Sequence, residues 1–147
     1  MNIGEAIKNI DNVLNDMDNI VVGAIMENEA EIIDLNISQL SQGLGASGNK
    51  LPEYESDEYF FAKKAEGLTE NAGRHYNILL DGGVREGMNI SKTGGGLAEI
   101  DSTDDKTFRL ETLTDVDIFG IAPKNRNELL TLIAPEIKRK VLNRIIK

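Results

Sequence analysis

From Ile3 the apolar positions run Ile3, Ile7, Ile10, Val13, Leu14, Met17 and Val21, steps of three and four that place them on one stripe of an α-helix. Asp18 is placed to cap a second helical segment running to Ile32 or Ile33, because an aspartate side chain accepts from the free N–H groups of a first helical turn. The pattern leaves open whether Met17–Ile20 is a break or a continuation, and Gly23 and Asn28 weaken the second segment. Residues 41–56 are dense in Gly, Ser, Asn and Pro and read as a loop or loose hairpin. Tyr59, Phe60 and Phe61 begin an element packed on the core, of a type the pattern does not decide, and Gly67 and Gly73 bracket a polar turn after it. Residues 76–113 read as β structure, with short strands at Ile78–Leu80, Val84–Ile90, Leu97–Ile100 and Phe108–Leu113. Asp81-Gly82-Gly83, the flexible tip Thr93-Gly94-Gly95-Gly96 and Asp101–Asp105 separate them. From Asn125 a helical period returns through Leu129, Leu130, Leu132, Ile133, Ile137, Val141, Leu142, Ile145 and Ile146. Pro135, which has no N–H to donate, is expected to end one helix or start the next. The expected fold class is α+β, with helices at the N- and C-termini flanking a small antiparallel β-sheet. It is read as a single domain over 1–147: 1–36 helical, 41–75 loop-rich, 76–113 mainly β and 123–147 helical.

Composition narrows the chemistry. At 147 residues, 40% hydrophobic and 28% charged, the chain has enough apolar mass for one core. It has no cysteine, which excludes disulfides, zinc–thiolate sites and thiol nucleophiles together. With His75 its sole histidine, any site built on two imidazoles is excluded. The longest apolar run, Ile20–Met26, is interrupted by Gly23 and falls far short of a bilayer span. The N-terminus lacks the basic start and apolar stretch of a secretory signal, so no membrane partner is expected and synthesis is expected in the cytoplasm. Net charge is −9, from 25 acids against 16 lysines and arginines, which disfavours general binding to nucleic-acid phosphates. That charge is uneven. Residues 1–36 hold eight acids and one base, Lys8, whereas residues 124–147 hold seven bases and two acids. Such ends steer one copy onto another, or onto a partner of matching sign; they also fit two solvated helix faces.

Several motifs invite a specific chemistry and do not meet its requirements. Gly43-Leu-Gly-Ala-Ser-Gly48 matches G-x-G-x-x-G, with Glu66 near the expected acidic position. A dinucleotide site needs a buried strand before the glycines and a helix opening after them, and here polar residues precede while Pro52 follows. Asp101, Asp104 and Asp105 cluster, but their spacing misses the alternating acids of a calcium loop. His75 has no nucleophile-elbow motif to serve. No catalytic residue, cofactor site or metal site is therefore expected, and the chain is not read as an enzyme. Asp117-Ile-Phe-Gly-Ile121 stands out, because Ile118 and Phe119 are large apolar residues between polar flanks. They read either as a plug in the chain's own core or as an anchor for a neighbouring subunit.

An ordered set of short motifs over roughly residues 35–133 resembles a family of small proteins encoded among the virion-assembly genes of tailed phages and prophages of Bacteroidetes, including crAss-like phages. The set begins with Gln39-Leu40-x-x-Gly43, Gly48, Leu51, Tyr54, Lys63/Lys64 and Gly67. It continues with Leu79-Leu80-Asp81-Gly82-Gly83, Ser102-Thr103-Asp104-x-Lys106, Leu110 and Asp117-Ile-Phe-Gly-Ile121 before a terminal helix. Gly82 stands where the family has threonine, and Val84 where it has an aromatic. The resemblance implies a minor virion protein of the neck, connector or tail-completion kind, with no catalytic residues. Its expected partners are other virion proteins and further copies of itself in a ring, joined by heterologous interfaces that salt weakens. The expected interface residues are Ile118, Phe119, Lys138, Arg139, Lys140 and Arg144. The alternative, motivated by the net charge of −9, is a small acidic cytosolic binding or regulatory protein that masks a basic partner.

Overall fold

A computed structural model describes residues 2–77, 83–105, 107 and 117–146. The expected strands Ile78–Leu80 and Phe108–Leu113 lie outside the described residues. Three helices follow one another at the N-terminus: α1 (Ile3–Asn15), α2 (Met17–Glu27) and α3 (Glu29–Ser41). Asn2 starts α1 with a reciprocal capping box, its Oδ1 accepting from the Glu5 N–H at 2.9 Å while Glu5 Oε2 accepts from the Asn2 N–H at 2.8 Å. The break after α1 falls at Asp16 rather than at an Asp18 cap, and a second break falls at Asn28, whose side chain donates to the Ala24 carbonyl at 2.8 Å. Helix continues past the expected limit at residue 36 to Ser41, because Asn36 and Gln39, polar in sequence, are buried there and hydrogen-bonded.

The loop-rich stretch contains α4 (Asp57–Ala65), so the aromatic run Tyr59–Phe61 is helical, with Ser56 Oγ capping it by accepting from the Tyr59 N–H. The expected strand Val84–Ile90 is divided. Gly83–Glu86 forms the short helix α5, in which Val84 is buried, and β1 (Met88–Thr93) begins two residues later. The carbonyl of Val84 accepts from Ser102 Oγ at 2.7 Å, which ties that helical turn to the end of β2 (Leu97–Ser102). Strands β1 and β2 form an antiparallel two-stranded sheet with Ile90 opposite Ile100 and Thr93 opposite Leu97. Its glycine tip docks on α2: Gly96 has φ +74°, and an added Cβ would stand 2.5 Å from that of Asp18.

The last helix, α6 (Arg126–Ile145), follows a 3-10 turn at Pro123–Asn125 and runs through Pro135 without a break. Pro135 has no N–H to give the Thr131 carbonyl, at a point where Thr131 and Pro135 are both exposed, so water can replace the lost bond. Ile133 and Ile137 on the same helix pack into the core and hold it together across the proline. One apolar cluster joins Ala24 of α2, Ile32 of α3, Ile90 of β1 and Ile133 of α6. A second joins Leu40, Leu51, Met88 and Ile118. The described residues thus form an α+β arrangement with helices at both ends and an antiparallel hairpin between them.

Candidate interface surfaces

Long-range polar contacts set the frame on which any surface is displayed. Gln39 is fully buried near the end of α3. Its Nε2 donates to the carbonyls of Gly45 and Gly120, both at 2.9 Å. Its Oε1 accepts from the Ala122 N–H at 2.8 Å and from Asn125 Nδ2 at 3.1 Å. One amide therefore fixes the loop after α3 and the segment entering α6, using all the hydrogen-bonding capacity of its side chain. Asn36 Nδ2 adds a second donor to the Gly120 carbonyl at 2.8 Å. Gly43, at φ +69°, closes this region because a Cβ would press on those of His75 and Ala72 at 3.0 and 3.2 Å.

A second buried knot ties the loop-rich region. Lys63 is 1% exposed, with Nζ donating to Tyr54 Oη at 2.5 Å and to Asn77 Oδ1 at 2.6 Å. The ammonium also lies 4.8 Å from the Tyr54 ring centroid, which favours a cation. No carboxylate pairs with it among the described ion pairs, and burial pushes its pKa down to about 8. Burial likewise raises the Tyr54 phenol above its ordinary range. Sequence patterning missed these groups, since a period-based reading assigns Gln and Lys to the surface. Gln39, Tyr54 and Lys63 stand among the motif positions quoted above, but nothing in the sequence marked them as buried.

The residues nominated as an interface are placed as follows. Ile118 is 1% exposed and sits in the second apolar cluster with Phe119 packed against it, so Ile118 plugs its own core and is not available as an anchor. Three basic residues of α6 face Glu27 at the end of α2 and Asp16 between α1 and α2 in the same chain. Lys140 Nζ meets Glu27 at 2.5 Å, Arg139 bridges Glu136 at 2.6 Å and Glu27 at 3.4 Å, and Arg144 pairs with Asp16. The hydrogen bond from Lys140 lowers the Glu27 pKa, and those from Asn19 and Arg144 lower that of Asp16. Lys138 remains exposed, outside the described ion pairs. The opposite charges of the chain ends thus meet within one copy, because the antiparallel approach of α2 and α6 brings them there.

What faces outward instead is apolar. Helix α1 packs on the body through Ala6, Asn9, Val13 and Asp16, of which Val13 is buried, and Asn9 Nδ2 donates to the Ile145 carbonyl at 3.2 Å. Its stripe Ile3, Ile7, Ile10 and Leu14 is 81%, 56%, 44% and 62% exposed. An amphipathic helix ordinarily turns such a stripe to the core; here it faces away. Leu142 and Ile146, at the end of α6 that α1 meets, are exposed as well.

The remaining motifs have structural roles. The glycine run 43–48 follows helix α3 rather than a strand, and it is a turn closed by the Gly48 N–H to the Gly45 carbonyl at 2.9 Å. His75 Nδ1 lies 2.6 Å from the Leu51 carbonyl, so that nitrogen carries the proton and donates. Asp101 Oδ1 accepts from the Ser102 N–H at 2.7 Å. Among the described residues no helix is long and apolar enough to cross a membrane. No family model, no curated protein and no solved structure matches the chain.

Proposed function

We propose that the chain is a structural virion-assembly protein of a tailed phage, a head–tail neck or connector component or a tail-completion component, that works through contacts with other virion proteins and with itself. The observation that carries the reading is the outward apolar stripe of α1, an exposed surface with an affinity for other protein that the other described residues leave uncovered. The ordered motifs support it from a second direction. Gln39, Leu40, Gly43, Leu51, Tyr54, Lys63 and Ile118 are framework residues here, the kind a shared architecture retains while surfaces vary. In this reading the ion pairs of α6 stiffen the subunit, and the contacts between subunits are apolar.

The test is mass spectrometry of purified particles produced from the genome that carries this coding sequence. The protein should be found at a fixed ratio to the major virion proteins, and should remain through density-gradient purification. Its absence from particles but presence in the infected cell would overturn the reading in favour of the small acidic regulatory protein.

A further inference from the structure

We propose that the α1 stripe is a homotypic docking face on which two copies of this chain pair their first helices antiparallel. Ile3 of one copy then lies against Leu14 of the second, and Ile7 against its Ile10. The spacing of these four residues is four, three, four, the repeat of a helix–helix seam. It is also symmetric about its midpoint. A helix with a symmetric seam is complementary to its own reverse, as a two-fold interface requires.

Charge chooses the second copy and its direction. On the side of the stripe facing away from the body, Gly4, Lys8, Asp11 and Asn15 repeat the same spacing one residue on, and all four are exposed. In the antiparallel pair this flank meets itself reversed. With Ile7 against Ile10, Lys8 of each copy stands two residues, about 3 Å along the axis, from Asp11 of the other, within side-chain reach for two reciprocal ion pairs, and Gly4 is offset likewise from Asn15. A parallel pair would set this flank against the side carrying Ala6 and Val13, which packs on its own body and offers no charge. Antiparallel pairing also opposes the helix dipoles favourably. A lipid surface is a poor occupant, because interfacial helices carry bases along the polar face, whereas α1 has Glu5 and Asp11 against Lys8 alone. The other acids nearby, Asp16 and Glu27, already face Arg144, Arg139 and Lys140 within the chain.

The inference names the self-contact within the assembly reading, rests on that reading only for its biological setting, and can fail separately from it. Sedimentation equilibrium of the full chain over a wide concentration range should show a monomer–dimer equilibrium. Ile7→Glu and Ile10→Glu, at positions already exposed in the single copy, should keep the melting curve and weaken dimerisation roughly a hundredfold or more, on the scale at which a central apolar contact acts in an interface. Lys8→Glu and Asp11→Lys should each weaken the dimer, and the double variant should restore it. Because the chain has no cysteine, Ile3→Cys and Leu14→Cys report direction: a mixture should form crosslinks between the two variants, while Ile3→Cys alone should not crosslink to itself. A monomer at every concentration, a dimer indifferent to Ile7→Glu, or efficient Ile3→Cys self-crosslinking would each overturn the proposal. A chain that stays monomeric alone but is captured by a different virion protein overturns the second-copy assignment and leaves the assembly reading standing. A chain that dimerises as described but is missing from particles does the reverse.

Discussion

Gln39 shows how much of this fold a single side chain governs. It bonds two carbonyls through its nitrogen and two donors through its oxygen, so removing it strands the buried Ala122 N–H, while the Gly45 and Gly120 carbonyls keep the Gly48 N–H and Asn36 Nδ2. Gln39→Leu should destabilise the protein by about 1–3 kcal/mol, the cost of one buried N–H left unpaired, measured by urea unfolding. Gln39→Glu should be at least as harmful, since a carboxylate turns an acceptor toward the Gly45 and Gly120 carbonyls. Lys63 makes a different prediction. Its folded pKa of about 8 lies below its unfolded value of 10.5, so between those values the unfolded chain binds more protons and stability rises with pH. Below pH 8 the full penalty of burying the ammonium is present. The unfolding free energy of the native protein relative to Lys63→Met, from urea titrations, should therefore climb from pH 8 to 10.5 by an amount approaching about 3 kcal/mol. A flat difference would mean that the folded protein holds the Lys63 proton as tightly as the unfolded chain does, so that burial does not lower its pKa.

At the scale of elements, α6 is the one whose sequence and structure pull apart. Pro135 is a strong local breaker, yet the apolar residues on either side, Ile133 and Ile137, both reach the same core cluster, and their burial outweighs one missing hydrogen bond. Pro135→Ala should restore the bond to the Thr131 carbonyl and raise stability by about 1–3 kcal/mol, bounded by the propensity difference of ~3 kcal/mol, with helicity by circular dichroism unchanged or slightly higher. The ion pairs from α6 to α1 and α2 are exposed, so they contribute modestly and are screened by salt. Glu27 and Asp16 have lowered pKa values, so their stabilising effect is present above the ordinary carboxylate range and is lost as the pH falls through it. Glu27→Gln should lower the melting temperature less than Gln39→Leu does, and most of that decrease should vanish at high salt. A decrease that persisted at high salt would point to packing rather than charge.

For the whole molecule, the pairing of its charged ends has a consequence for assembly. A subunit that pairs Arg139, Lys140 and Arg144 internally keeps only part of its basic helix to bind a second acidic face, so salt acts first on the stiffness of each copy. Contacts between copies then fall to the apolar stripe of α1. The self-association of the full chain should accordingly survive moderate salt and be lost on Ile10→Glu, as light scattering can show. Strong dissociation by salt alone would instead return the charged helices to the interface.

Helical stripes at both ends, the turn character of residues 41–56 and the strand at residues 97–100 were legible in the sequence, because periodicity and turn chemistry act over a few neighbouring residues. So was the α+β class, which depends only on the order of such segments. Three outcomes required the assembled chain. The α1 stripe was visible as apolar but its direction was not, since which face of a helix meets the core depends on what packs beside it. Nothing in the sequence marked Gln39 and Lys63 as buried, because the partners that close around them come from distant segments. The two charged ends had the composition of an interface, and only their antiparallel approach made them partners of each other. Local pattern selects the elements; distance between their side chains, which no local window contains, decides what each one touches.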